Sequence, residues 1–255
     1  MPTDIATKRA LFRALHEQGC FILPNPWDVG SARRLAKRGF KALASTSAGF
    51  AWSLGRDDGE VTRDELLGHL RMLNEATDLP VNADFEAGFG DDPGQVAKNI
   101  ELAIGAGVAG LSIEDRTGKD LYPVPLAVER IRASHEAIAG TAEDVVLVGR
   151  TEGFLIGNRD LAATIKRLVA YAEAGADCLY APGVTDLAAI AEIVAAVAPK
   201  PVNVLLMNPD MRLADLAAVG VRRVSTGGAL AYAAWAGFDR TVDTLVDQGT
   251  LPGRA

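Results

Sequence analysis

Short runs of apolar residues alternate along the chain with longer stretches in which apolar positions recur at helical spacing. The runs occupy residues 20–24, 42–47, 81–84, 110–114, 145–150, 177–181, 202–207 and 222–226, each short enough for a buried strand. An opening helix ends near His16, and residues 64–75, 93–104, 126–138, 160–174 and 186–196 read as crossover helices. Gly39, Gly107, Gly175 and Gly220 stand just before the next strand, where a helix stops through a left-handed residue. Eight strand–helix units in about 250 residues predict an α/β fold of the (β/α)8 TIM barrel type. An open, doubly wound sheet is the alternative, because periodicity does not separate a closed sheet from an open one. No Ser/Pro/Gly linker, charge block or low-complexity tract interrupts the pattern, so residues 1–255 are expected to form a single barrel domain with an N-terminal helix.

Composition narrows the partners. Lys and Arg number 26 against 33 Asp and Glu, a formal net charge of −7, which argues against a nucleic-acid partner held by clustered cations. Hydrophobic residues make up 49% and charged residues 23%, ordinary for a globular chain with a substantial core. Cys20 and Cys178 form no CxxC or Cys/His cluster, which leaves no disulfide framework or structural zinc site; both read as small buried hydrophobes. The first nine residues lack an apolar signal core, and no stretch reaches ~18 uninterrupted apolar residues. A soluble, cytoplasmic protein without a membrane partner is expected.

In a barrel of this kind chemistry collects at the carboxyl ends of the strands. Polar residues there are Asn25, Trp27 and Asp28, then Ser45, Thr46 and Ser47, Asp84 and Glu86, Glu114 and Asp115, and Arg150 and Glu152. Asp84 and Glu86, two apart in extended geometry, would share one side at about 7 Å, with Glu114 ending the neighbouring strand. Oxygen ligands so placed suit Mg²⁺ or Mn²⁺; the other reading is that they cap helices or pair with Arg150. Ser45 to Gly49 is either an ordinary tight turn or a holder of a carboxylate or phosphate oxygen. Arg150 closes an apolar strand and needs an acid or a bidentate ligand, since an unpaired buried charge costs several kcal/mol. The segment 88–94 lacks phosphate-loop spacing and reads as a turn into a helix. His16, His69 and His135 fall in helices as surface or packing residues, which disfavours a Ser-His-Asp triad or a His-ligated metal.

Six stretches in this order resemble the isocitrate lyase/phosphoenolpyruvate mutase superfamily over nearly the whole chain. They are Pro24-Asn25-Pro26-Trp27-Asp28, Thr46-Ser47-Ala48-Gly49 with Ser53-Leu54-Gly55, Asp84-Phe85-Glu86-Ala87-Gly88-Phe89-Gly90, Ile113-Glu114-Asp115, Gly149-Arg150-Thr151-Glu152 and Ser225-Thr226-Gly227-Gly228. The resemblance implies a (β/α)8 barrel, Mg²⁺ bound largely through waters, and a small 2-oxo or 2-hydroxy acid on the metal. It makes Asp84, Glu86 and Glu114 metal-site acids, although Asp is common where Glu86 stands. It also makes Asp58 an active-site acid, Arg150 the substrate-binding arginine, and Thr46, Ser47 and Ala48 the substrate-holding segment. The Cys-bearing loop that follows Glu-Asp in isocitrate and methylisocitrate lyases is replaced by Arg116-Thr117-Gly118-Lys119-Asp120-Leu121-Tyr122-Pro123.

The expected activity is a metal-dependent carbon–carbon lyase acting through a Mg²⁺-stabilised enolate of a small 2-oxo acid. Decarboxylation of an oxaloacetate-like acid tolerates the missing cysteine, because that step needs no general base. A retro-aldol cleavage would draw on Asp58, Lys119 or Tyr122. Alternatives are phosphonopyruvate mutase or hydrolase chemistry and a 2-oxo acid-binding protein without catalysis. Residues 116–125 are expected to form a mobile lid with Gly118 as hinge and Lys119 and Tyr122 meeting the substrate; a static connection is the alternative. The apolar stretch 229–235 predicts a homo-oligomer, dimer or tetramer, unless the segment is buried in its own barrel.

Overall fold

The structure, a computed structural model, describes residues 3–253. Met1, Pro2 and the last two residues of the 1–255 range lie outside the described residues.

The chain opens with α1 (Ile5–Ala14), β1 (Phe21–Leu23), α2 (Val29–Lys37), β2 (Leu43–Ala44), α3 (Ser47–Ser53), α4 (Arg63–Ala76) and β3 (Val81–Asp84). Then come α5 (Pro93–Gly105), β4 (Gly110–Glu114), β5 (Arg116–Thr117), β6 (Asp120–Leu121), α6 (Val124–Gly140) and β7 (Val146–Arg150). The chain closes with α7 (Leu161–Glu173), β8 (Cys178–Tyr180), α8 (Leu187–Val197), β9 (Val202–Leu205), α9 (Leu213–Ala218), β10 (Arg223–Ser225) and α10 (Ala229–Gln248).

Eight of the strands form one parallel sheet in the order β1-β10-β9-β8-β7-β4-β3-β2. Ala44 N at the β2 end donates to Pro24 O, just past β1, at 3.1 Å. That bond brings the two ends of the order together, so the sheet curls into a (β/α)8 barrel and the open doubly wound alternative falls. Alternation along each strand divides the core. Phe85, Leu111, Ile113, Leu147 and Leu179 pack outward against the helices, while Leu23, Ala44, Val146, Val148, Cys178 and Tyr180 face inward over Phe12 of α1.

Aspartates start many of the helices. Asp4, Asp28, Asp92, Asp160 and Asp186 each accept a backbone N–H from the first turn, satisfying donors that the helix itself leaves free. Thr62 does the same for α4 in a reciprocal capping box with Glu65. The helix-to-strand turns end in glycines at positive φ, as the sequence predicts; at Gly175 (φ 108) a Cβ would stand 2.4 Å from the His135 ring.

Two segments differ from the sequence reading. The run 42–47 stops as a strand at Ala44, because Thr46 turns the chain by capping α3, its Oγ1 accepting from Gly49 N at 3.2 Å. Residues 116–121, expected as part of a mobile lid or a static connection over 116–125, pair as the antiparallel hairpin β5–β6 with Arg116 opposite Leu121. Gly118, expected as a hinge, is a left-handed turn residue there (φ 58).

Candidate active site

The carboxyl ends of β3, β4 and β7 set one arginine among acids. Arg150 and Glu114 are register partners at the ends of β7 and β4. The Arg150 guanidinium lies 3.1 Å from Glu114 Oε1, 3.0 Å from Asp84 Oδ1 and 2.6 Å from Glu152 Oε1, and none of these four side chains is more than 16% exposed. A buried arginine is thereby compensated, but the three acids leave the cluster with excess negative charge. Asp84 is fixed from its other side: its N donates to Ser45 Oγ at 2.8 Å, and its Oδ2 accepts from Ser47 N and Oγ, both at 3.0 Å. Asp115 positions Glu152, its Oδ1 accepting from Glu152 N at 2.9 Å while its Oδ2 accepts from Tyr171 Oη at 2.6 Å.

Glu86 reaches the cluster by a different route from the one expected. β3 ends at Asp84 and Glu86 adopts φ 47, so the extended two-residue relation does not hold. The bend is held in place by neighbours. Glu114 N donates to Glu86 O at 2.9 Å, Asn99 Nδ2 donates to Gly88 O at 2.8 Å, and Arg130 of α6 donates to the carbonyls of Ala87, Gly90 and Asp91. Glu86 Oε1 is buried with no hydrogen-bond partner among the described residues. Burial, then Asp84 and Asp58, push its carboxyl up to about 7. Burial also raises Glu114 against the opposing pull of Arg150, with Glu152 and Asp84 adding to the rise. Asp58 stands at the rim between α3 and α4, where its surroundings and Asp84 raise it as well.

Two cavities meet at Ser47 and Asp58. The outer one, about 320 Å³, is bordered by Glu86, Glu114, Arg116 and Gly118. The inner one, about 130 Å³, is bordered by Thr46, Ala48, Asp84 and Arg150. The structure therefore brings Thr46, Ser47, Ala48, Asp58, Asp84, Glu86, Glu114 and Arg150 to one place. It does not bring Lys119 or Tyr122. Lys119 is exposed at the hairpin turn and borders neither cavity. Tyr122 is buried, its Oη donating to Asp91 and its ring 4.1 Å below the Arg130 guanidinium. The hairpin faces the site through Arg116 instead. Lys119 sits in the turn between the two strands, and Tyr122, just past β6, is held by Arg130 and Asp91.

Of the alternative reading, capping fails for Glu86 and Glu114, while Asp84 holds the first N–H of α3 at Ser47 and, with Glu114, pairs with Arg150. Asp28, Asp92, Asp160 and Asp186 cap helices at this end of the barrel, whereas Asp84 and Glu114 bind Arg150 and Glu86 binds nothing among the described residues. His16 and His69 are buried packing residues, the latter stacked on Phe50 at 3.8 Å, and His135 is exposed. Sequence reasoning did not place Tyr180, whose ring lies 5.2 Å below the Arg150 guanidinium, or Glu152 as an Arg150 partner, in the site. Inward alternation on β8 was the available signal for Tyr180.

Over residues 12–246 the sequence matches the model of the phosphoenolpyruvate phosphomutase family. The chain belongs to this family. A solved structure from Burkholderia cenocepacia J2315, named only provisionally as a lyase/mutase, is 49% identical, with a TM-score of 0.95 over 97% of this chain and 92% of that one. The oxaloacetate decarboxylase of Pseudomonas aeruginosa PAO1 is 34% identical over 238 residues, 89% of this chain and 81% of that protein. The 2-methylisocitrate lyase of Escherichia coli K12 is 35% identical over 191 residues, 71% of this chain and 63% of that protein. Family membership is thus as the motifs implied, and the chain is an enzyme. In this phosphomutase-family member the hairpin after Glu114-Asp115 carries no cysteine, while Cys20 precedes β1 and Cys178 is buried in β8. No helix among the described residues is long and apolar enough to cross a membrane.

Proposed function

We propose that this enzyme is a divalent-metal-dependent carbon–carbon lyase for a small 2-oxo acid, with decarboxylation of an oxaloacetate-type acid as its reaction. The observation that carries the proposal is Glu86, a half-buried side chain whose buried Oε1 has no hydrogen-bond partner among the described residues, beside an acid cluster that one arginine does not neutralise. Oxygen donors and surplus negative charge fit Mg²⁺ or Mn²⁺. Among the described residues no three His, Cys, Asp or Glu side chains converge closely enough to hold an ion directly. Asp84, Glu86 and Glu114 would therefore hold it largely through waters, as Mg²⁺ prefers. When bound, the cation polarises the 2-oxo oxygen and stabilises the negative charge that develops there.

The chain's own groups do the rest. Arg150, oriented by its three acids, is the donor for the substrate's C1 carboxylate, and Thr46, Ser47 and Ala48 border the same space. Breaking the bond to the second carboxyl group releases CO₂ and leaves the electron pair as an enolate; a proton delivered to that carbon completes a 2-oxo monoacid. No base acts before the bond breaks. Asp58, which borders both cavities and whose carboxyl burial and Asp84 raise, is the group placed to deliver the proton. In a retro-aldol cleavage of a 2-hydroxy acid it would take the hydroxyl proton instead. The hairpin β5–β6 acts as the lid through Arg116 and Gly118, shielding the enolate from water.

Asp58 also supports a second reading, carbon–phosphorus chemistry on phosphonopyruvate, because its position on both cavities would put it beside the phosphorus. A panel of 2-oxo and 2-hydroxy diacids, with phosphonopyruvate included, separates the two: CO₂ and a monoacid support the lyase, phosphate release supports the other. Tight metal-dependent binding without turnover of any member would mark a binding protein. The same proposal includes a homo-oligomer, dimer or tetramer, built on α10. Only Ala231 of that helix is buried in the single chain, while Tyr232, Phe238 and Val246 are 68%, 58% and 76% exposed.

A further inference from the structure

The barrel interior holds a second arginine, and no acid stands beside it among the described residues. Arg223, on β10, is 2% exposed. Its Nε donates to Asn203 Oδ1 at 2.9 Å and its Nη1 to Asn82 Oδ1 at 3.3 Å, with His16 Nε2 at 3.4 Å. His16 Nδ1 lies 2.8 Å from Phe12 O, so that nitrogen carries the proton and Nε2 is the acceptor turned to Arg223. Burial and the Arg223 charge hold His16 down at about 3, so the imidazole is neutral. Every partner of Arg223 is therefore uncharged, and its Nη2 makes no hydrogen bond among the described residues. Arg150, by contrast, has three carboxylates. A guanidinium taken out of water without a counter-charge is costly, and an anion is what it lacks.

The inner cavity supplies the room. Its wall runs from Asp84 and Arg150 down to Asn203, Ser225 and Arg223, and its volume of about 130 Å³ exceeds that of a carboxylate group. We propose that the floor of this cavity is a carboxylate subsite built on Arg223, with Asn203 and Ser225 beside it. Asn203 Nδ2 donates to Ser225 Oγ at 3.0 Å, which fixes the two polar side chains as a pair. Asn82 and Asp84 mark the depth: they are successive inward residues on β3, about 7 Å apart by strand rise, roughly the span of a short dicarboxylate. A diacid anchored at the Arg150 level reaches Arg223 with its other end. That assignment of the anion to the substrate rests on the lyase reading above; the subsite itself does not.

The test uses metal-free protein in EDTA, and Arg223→Gln separates the floor from Arg150, whose Nε and Nη1 are held by its acids in both proteins. Formate added at constant ionic strength should raise the melting temperature of the wild type progressively, because it binds the folded state alone. Arg223→Gln should melt no lower than the wild type without formate and lose the formate response. A wild-type melting temperature indifferent to formate, or a variant that responds as the wild type does, overturns the subsite; the first measurement needs no variant to fold. Calorimetry on the Mg²⁺-loaded enzyme then identifies the source. If the substrate's second carboxylate fills the floor, formate competes with succinate but not with pyruvate, and Arg223→Gln weakens succinate about tenfold or more. Formate binding without competition assigns the subsite to a separate small carboxylate. The EDTA result stands or falls whether or not the enzyme proves to be a lyase.

Discussion

Replacing Glu86 by Gln should stabilise the metal-free protein, by an amount that depends on pH. The carboxyl moves from 4.5 to about 7 on folding because it is buried beside Asp84 and Asp58. The folded state therefore binds its proton more tightly than the unfolded chain, and stability falls as pH rises through that interval. At about 1.4 kcal/mol per pH unit the penalty reaches about 3 kcal/mol at pH 8, and roughly half that once solvent reaching the half-buried side chain is allowed for. The amide carries no charge and escapes the penalty. Thermal melts in EDTA at pH 8 should place Glu86→Gln about 5 °C above the wild type, and melts at pH 4.5 should show little difference. Mg²⁺ at pH 8 should then raise the wild type more than the variant, because the cation supplies the charge that Glu86 lacks. A variant less stable than the wild type at pH 8 in EDTA would refute the reasoning.

Arg150→Lys keeps a positive charge but loses the planar fork that three acids share, and kcat/KM should fall about 100-fold or more in steady-state assays. Tyr122→Phe deletes the bond to Asp91 and should cost about 1 kcal/mol in urea unfolding. With kcat within about twofold of wild type, that variant and Lys119→Ala would confirm that neither side chain meets the substrate. Light scattering at micromolar concentration should give an oligomeric mass for the wild type and a lower one for Phe238→Glu, whose charge falls on the exposed face of α10; a monomeric wild type contradicts the oligomer.

The barrel was legible because its signal is local and repeated. Runs such as 81–84 and 110–114 coincide with β3 and β4 to the residue, since they are short and each follows a Pro- or Gly-marked turn. Asp84, Glu114 and Arg150 were legible for the same reason: strand ends define the catalytic face. Glu86 was found, but its geometry was not, because a left-handed residue after Asp84 is set by Arg130 and Asn99, contacts formed across long stretches of chain. The hairpin β5–β6 was missed because two-residue strands carry no periodicity. Arg223 and Asn203 stand inside the runs 222–226 and 202–207, and only the closed barrel turns them towards a common interior.

The most direct test of the central claim is the rate of CO₂ release from oxaloacetate by the purified enzyme, titrated with Mg²⁺ after EDTA treatment and corrected for the uncatalysed and metal-only reactions. The account predicts no enzyme-dependent rate in EDTA, full recovery on adding Mg²⁺ or Mn²⁺, and little recovery in Asp84→Asn. Undiminished turnover in EDTA would contradict it.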